Sequence, residues 1–346
     1  MKIPNVKGIE QEILEPSQSG LIHYYQENYI NTPTSTEIDL MLKAFQRDRK
    51  SITQLTALNH NKKYEVKTLE KGMLLIVLIE HDYRKNLDTK LRFIDEFLPK
   101  SGKHPVIKIL TYILTLVFDS FYGTGRVFTE SEFKIQFKLS DLVELKCYSD
   151  VDSARVGIDK IKTFLRTIGI EYSTDGNKTG VVNLITQIEI SNNECSCWLN
   201  NKPIVWEHLL RNYYKLPRYA YSLSAVAFNL FCFLCTQARF SLASIKEKGF
   251  YSINITAIQN HLGLNDKTKN PKRDYILKID KALNEIETIS SEDLRINTHY
   301  DTNESISDFK NRKIDIYPKD RLKDQLLRQE NRLKNKSKRR RKTIKK

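Results

Sequence analysis

Two stretches of the chain set cationic and amide side chains at helical spacing. Near residues 270–284, Asn270, Asp274, Lys278, Lys281 and Asn284 project onto one face at ~100° per residue. Arg273 lies at the flank of that face, and Lys267, Lys269 and Lys272 stand at the helix entrance. Near residues 152–166 the corresponding face carries Asp152, Asp159, Lys160, Thr163 and Arg166, with Arg155 at its flank. Amines at a helix entrance suit phosphate contact; Arg273, Lys278 and Asn284 are placed to reach base edges, because a major groove admits one α-helix. The face near 152–166 has more acid and is expected to bind more weakly. A third concentration is the tail. Of the net charge of +15, residues 319–346 carry +11, from 14 Lys or Arg against 3 Asp or Glu, and Lys338, Arg339, Arg340 and Arg341 form its densest run. A polyanion partner is expected. The plainer alternative is a solvated lysine face and a solubility tail.

Other chemistries fare worse. Gly123-Thr124-Gly125-Arg126 has neither the length nor the lysine of a phosphate-binding loop. His23, His60, His81, His104, His208, His261 and His299 are scattered, and neither Tyr24-Tyr25 nor Tyr213-Tyr214 has clustered metal ligands beside it, so a nicking active site is not expected. Cys232-x-x-Cys235 falls inside an apolar helix, and Cys195 and Cys197 share a strand face. A four-sulfur zinc site is conceivable, but core packing is the better account. No cofactor or metal is expected. Five cysteines in a chain of 346 residues do not make a secreted disulfide framework. The longest apolar run, Ile109 to Phe118, is ten residues, against the ~18 a membrane span needs, and the N-terminus lacks a signal-peptide core. A cytoplasmic protein is expected.

The elements that must position these faces repeat. At an offset of 116 residues, Leu110, Leu114, Val117 and Phe118 fall on Val226, Leu230, Phe233 and Leu234, and Ile135, Phe137 and Leu139 on Tyr251, Ile253 and Ile255. Ser140 and Leu142 then match Thr256 and Ile258. At offset 118, Ile158, Ile161, Leu165 and Ile168 match Ile276, Ile279, Leu283 and Ile286. Helix, strand, helix, helix, hairpin is the order of a winged helix. The expected fold is therefore α+β: two tandem winged-helix domains, an N-terminal α+β extension and a basic C-terminal tail.

Residues 1–33 are expected to form a flexible arm, and 34–103 an α+β subdomain or extension in which Thr34 and Glu37 make a capping box ahead of Ile38, Met41, Leu42 and Phe45. Strand-like runs follow at Ile52–Leu58, Tyr64–Val66 and Met73–Ile79. Winged helix 1 spans 104–191, with Ile170–Tyr172 and Val181–Ile190 as its hairpin. The tip at residues 174–180, Gly-rich and bearing Lys178, would pass close to a phosphate backbone. Residues 192–218 connect, 219–318 form winged helix 2 with a polar wing loop at Asp301–Asn311, and 319–346 are the tail.

Leu216-Pro217-Arg218-Tyr219-Ala220-Tyr221-Ser222-Leu223-Ser224, leading into an apolar helix that ends at Gln237-Ala238-Arg239, resembles the opening of a winged helix in the replication initiator (Rep) proteins of bacterial theta-replicating plasmids. The resemblance covers residues 104–318. It implies binding to repeated sites in double-stranded origin DNA, melting of an AT-rich segment, and contacts with the host replicative helicase and initiator. It also implies exchange between a homodimer and a monomer. The long N-terminal region and the basic tail depart from the family's compact pattern. A winged-helix repressor or partition factor would use the same domains, and a rolling-circle or conjugative nicking enzyme is the alternative of another class.

Overall fold

A computed structural model describes residues 29–34, 38, 41, 42, 64–68, 73–78, 87–94, 105–123, 133–174, 178–201, 205, 206, 209, 210, 212–264, 270–319, 322–324, 326 and 327. Strand β1 (Tyr29–Thr34) opens it, followed by β2 (Tyr64–Thr68), β3 (Met73–Leu78) and β4 (Leu87–Ile94). Then come α1 (Val106–Gly123), β5 (Phe133–Lys138), α2 (Leu139–Glu144) and α3 (Val151–Thr167). Four strands follow: β6 (Gly169–Thr174), β7 (Lys178–Asn183), β8 (Ile185–Ser191) and β9 (Glu194–Leu199).

Strand β10 (Asn212–Pro217) and a 3-10 turn (Arg218–Ser222) lead to the second set. It comprises α4 (Ala225–Phe240), α5 (Leu242–Lys248), β11 (Tyr251–Asn254) and α6 (Ile255–Leu262). A π turn (Lys272–Ile276) runs into α7 (Leu277–Ile289), and β12 (Leu294–Thr298), α8 (Ile306–Asn311) and β13 (Lys313–Pro318) complete it.

Local sequence accounts for the elements. Helix α1 is apolar almost all round, and its Val106, Ile109, Leu110, Ile113, Leu114 and Val117 are buried, as a core helix requires. Asp150 caps α3 by accepting from the Ser153 amide at 2.7 Å, and Ser224 caps α4 through the Ala227 amide. Strand β5 alternates, with Ile135 and Phe137 inward and Lys134, Gln136 and Lys138 outward. Thr34, placed at a helix start by sequence, ends β1, while Ile38, Met41 and Leu42 are helical and buried. Ile52–Leu58 and Phe45 lie outside the described residues.

The repeat is visible in the sheets. Strands β5, β9 and β8 form one three-stranded antiparallel sheet in that order, and β11, β13 and β12 form another. In each, the first strand of the unit pairs with its last, which pairs in turn with the strand just before it in sequence.

One expectation is overturned. Residues 169–174 and 178–183 do pair with each other, but not on the sheet of β5. They are the last two strands of a five-stranded sheet ordered β2-β3-β4-β6-β7, built mostly from the N-terminal region. The hairpin that pairs with β5 is β8–β9, closed by Asn192-Asn193, both at positive φ (49° and 67°). Such two-residue turns match strand twist, and asparagine tolerates that backbone. β9 and β10 thus lie within the stretch expected as a connector, and β1 pairs with β10 from the stretch expected as an arm.

The two repeated units share a core. Helices α1 and α4 pack together, and Lys108 of α1, 5% exposed, donates its amine to the Tyr221 carbonyl at 2.7 Å. Its ammonium also sits 5.9 Å from the Phe228 ring centre. Burial pulls the Lys108 amine below its usual pKa. Tyr112 meets the Tyr221 ring edge-on, and Phe118 meets Tyr213.

Candidate nucleic-acid interface

Helix α3 is the third helix of its unit, α7 takes the corresponding place in the second unit after the additional short helix α5, and each is anchored so that one face stays outside. On α7, Glu285 accepts from the Ser224 amide and from the Ser224 hydroxyl (2.7 Å), and Glu287 accepts from the Ile296 amide at 3.0 Å. With Ile279, Ala282, Leu283 and Ile286 buried, these carboxylates fix the helix about its own axis. Helix α3 buries Ala154, Gly157, Ile158, Ile161, Phe164 and Leu165. The Arg166 guanidinium ties it to β8 by donating to the Thr186 carbonyl at 3.1 Å.

The outward face of α7 carries the expected residues. Lys278, Lys281 and Asn284 are exposed, and Asn284 donates to Asp280 at 3.0 Å. Arg273 is exposed on the π turn and pairs with Asp274 at 2.9 Å. Lys267 and Lys269 lie outside the described residues. On α3, Arg155, Lys160, Thr163 and Arg166 are all exposed. Arg155 pairs with Asp152 at 2.7 Å, and Asp159 pairs with Lys162 at 2.5 Å. Acid therefore offsets much of the α3 cation charge.

A contact that sequence reasoning missed recurs in both units. Arg155 donates to the side-chain oxygen of Asn193 at the β8–β9 turn. Lys272 donates to the Asn303 side chain, in the loop between β12 and β13, at 2.8 Å. In each unit a cation near the N-terminal end of that helical segment thus reaches the hairpin loop beside it. That loop in the second unit is not plain coil: Ser305 caps α8, Phe309 is fully buried against Tyr275 and Tyr300, and Arg312 clasps Glu304 with two hydrogen bonds of 2.8 and 3.1 Å.

Lys178 opens β7 on the five-stranded sheet, and so does not belong to the hairpin that pairs with β5. Lys338, Arg339, Arg340 and Arg341 lie outside the described residues, but Leu322 and Leu326 of the tail are buried. The buried faces of the two helices keep the 118 offset: Gly157, Ile158, Ile161, Phe164, Leu165 and Ile168 are buried, and so are Tyr275, Ile276, Ile279, Ala282, Leu283 and Ile286. Their ends differ, because Asp150 and Asn270 each accept from the amide three residues on while the C-caps are Ile168 and Ser290.

Other chemistry-bearing groups are spread out. Cys195 and Cys197 sit on β9, and Cys232 and Cys235 lie in α4, all four buried and free. Among the described residues no three His, Cys, Asp or Glu side chains converge on one point. Tyr214 is buried, with its phenol pushed well above its usual pKa by burial. No single described helix is long and apolar enough to cross a membrane.

No family model matches the chain, and no curated protein does. Among solved structures it is similar to RctB domains 2–3, at 11% identity over 76% of this chain and 94% of that one, with a TM-score of 0.39. A selenomethionine derivative of RctB domains 2 and 3 gives 12% identity over 77% and 95%, with a TM-score of 0.41.

Proposed function

We propose that this chain is a sequence-specific, double-stranded DNA-binding replication initiator of a plasmid or mobile element, with no reaction of its own. Its two repeated units act as tandem winged helices, each laying its third helix in a major groove with its hairpin loop alongside. One observation carries this: a three-stranded sheet with the same pairing pattern occurs twice, and each copy turns outward a helix face bearing lysine and a hydrogen-bonding side chain. The tail's +11 charge supplies sequence-independent attraction to phosphates. Contacts with the host helicase and initiator, and exchange between dimer and monomer, belong to the same proposal.

Footprinting on the DNA flanking the gene tests it. Tandem protected repeats, and replication of a minimal origin supplied with this gene, are the expected results. A single protected palindrome without origin firing would make the protein a repressor or partition factor. A covalent tyrosyl–DNA product formed on supercoiled origin DNA with Mg²⁺ or Mn²⁺ would make it a nicking enzyme.

A further inference from the structure

Among the residues whose exposure is described, four large apolar side chains are exposed: Val156, Val181, Phe240 and Leu277. Two of the four stand on the outward faces of the third helices, Val156 at 52% exposure and Leu277 at 41%. A single exposed aliphatic residue is ordinary. Here, however, the two head the same spacing of side chains along their own helices, three residues out of step in the repeat. Lys160 follows Val156 by one turn and Thr163 by two; Lys281 follows Leu277 by one turn and Asn284 by two. Residues four and seven apart lie on one helical stripe. Each unit therefore exposes the same triplet: an aliphatic side chain, then a lysine, then a hydrogen-bonding side chain. The aspartate before each lysine is engaged locally, Asp159 with Lys162 and Asp280 with Asn284 and Tyr300. The lysines and the aliphatic groups face solvent.

An apolar group at the centre of a polar reading face has one apolar partner on the floor of a major groove, the 5-methyl of thymine. Building on the DNA-binding proposal, we infer that Leu277 and Val156 are specificity-determining residues. Each packs on a thymine methyl, and Lys281 and Lys160 contact the acceptor edge of a neighbouring base. The two units then read related elements, each containing one thymine whose methyl matters.

The test uses the full chain and a duplex it enriches from a random pool. Each thymine in the selected duplex is replaced in turn by uracil, which lacks only the methyl. Two positions are expected to weaken binding by roughly three- to fivefold, the value of one buried methyl. Leu277→Ala is expected to abolish the effect at one position and Val156→Ala at the other. Both side chains are exposed, so neither change disturbs the core. Uracil tolerated at every position, or sensitivity that survives both variants, would overturn the inference while leaving DNA binding intact. Failure to enrich any duplex would overturn the DNA-binding proposal itself.

Discussion

The Tyr148 ring lies over the bare Cα of Gly157 in the middle of α3: a Cβ built there would stand 2.2 Å from the tyrosine Cζ. Glycine in a helix interior costs about 1 kcal/mol relative to alanine, and here the tyrosine packing offsets it. Gly157→Ala is expected to expel the ring and destabilise the protein by about 1–2 kcal/mol despite better helix propensity. In a Tyr148→Ala background the same change should be neutral or stabilising, which a double-mutant cycle by thermal unfolding would read. The Tyr148 hydroxyl is buried and finds no hydrogen-bond partner among the described residues, so Tyr148→Phe should leave stability unchanged or raise it.

Acid should loosen α3 from its N-terminus. The Ser149 hydroxyl and the Ser153 amide and hydroxyl all donate to Asp150 and hold its carboxyl at about 2, below its ordinary 3.8. A depressed carboxyl contributes stability that is present above pH 3.8 and is lost as pH falls through about 2. Amide exchange in the first turn of α3 should therefore accelerate across that window. Asp150→Asn keeps an acceptor for the cap and should flatten this response. An equally steep response in the variant would assign the titration elsewhere.

Asn229 joins the N-terminal segment to the second unit. Fully buried on α4, it donates to the Leu42 carbonyl at 3.0 Å and meets His261 Nε2 at 2.9 Å. Asn229→Ala should cost about 3 kcal/mol, because two buried polar groups each lose a partner. Limited proteolysis should then cut faster on the N-terminal side of residue 105. Unchanged cleavage would mean that Ile38, Met41 and Leu42 hold that segment without help.

Lys278 and Lys281 are exposed on α7. Changing both to alanine should weaken duplex binding and lower the salt slope by about one unit for each phosphate no longer neutralised. Lys160→Ala, at the position matching Lys278, should act in the same direction but more weakly, because Asp152 and Asp159 already temper that face. Unchanged affinity and slope in the double variant would remove α7 from the DNA.

Tail truncations should separate two roles. Removing residues 328–346 should lower non-specific affinity more than specific affinity and leave the melting temperature alone. Removing residues 319–346 also strips Leu322 and Leu326 from the core, along with the Lys319 amide bond to the Asp293 carbonyl, and should lower the melting temperature as well. Equal melting temperatures for the two truncations would contradict that packing.

Much of the fold is legible in the chain. Helices α1 and α4 declare themselves by dense apolar spacing, and β5 and β11 by strict alternation, so the repeat can be read by eye. The hairpin of the first unit cannot. The Gly-rich turn at 174–180 is a stronger local signal than Asn192-Asn193, and only non-local pairing with β4 reveals which sheet claims it. The register of the third helix is legible as well: the apolar residues that match at offset 118, Ile158, Ile161, Leu165 and Ile168 with Ile276, Ile279, Leu283 and Ile286, are all buried. Leu277 is concealed because an apolar residue on a helix reads as core until its neighbours are placed.

The β6–β7 insertion has a practical corollary. Because α3 runs directly into strands whose partners come from residues 64–94, a fragment started at His104 would leave the β4-facing edge of β6 bare, and β10 would lose β1. Bare edges of that kind recruit other chains. The two repeated units should therefore be expressed together with the N-terminal strands, since a shorter piece would self-associate.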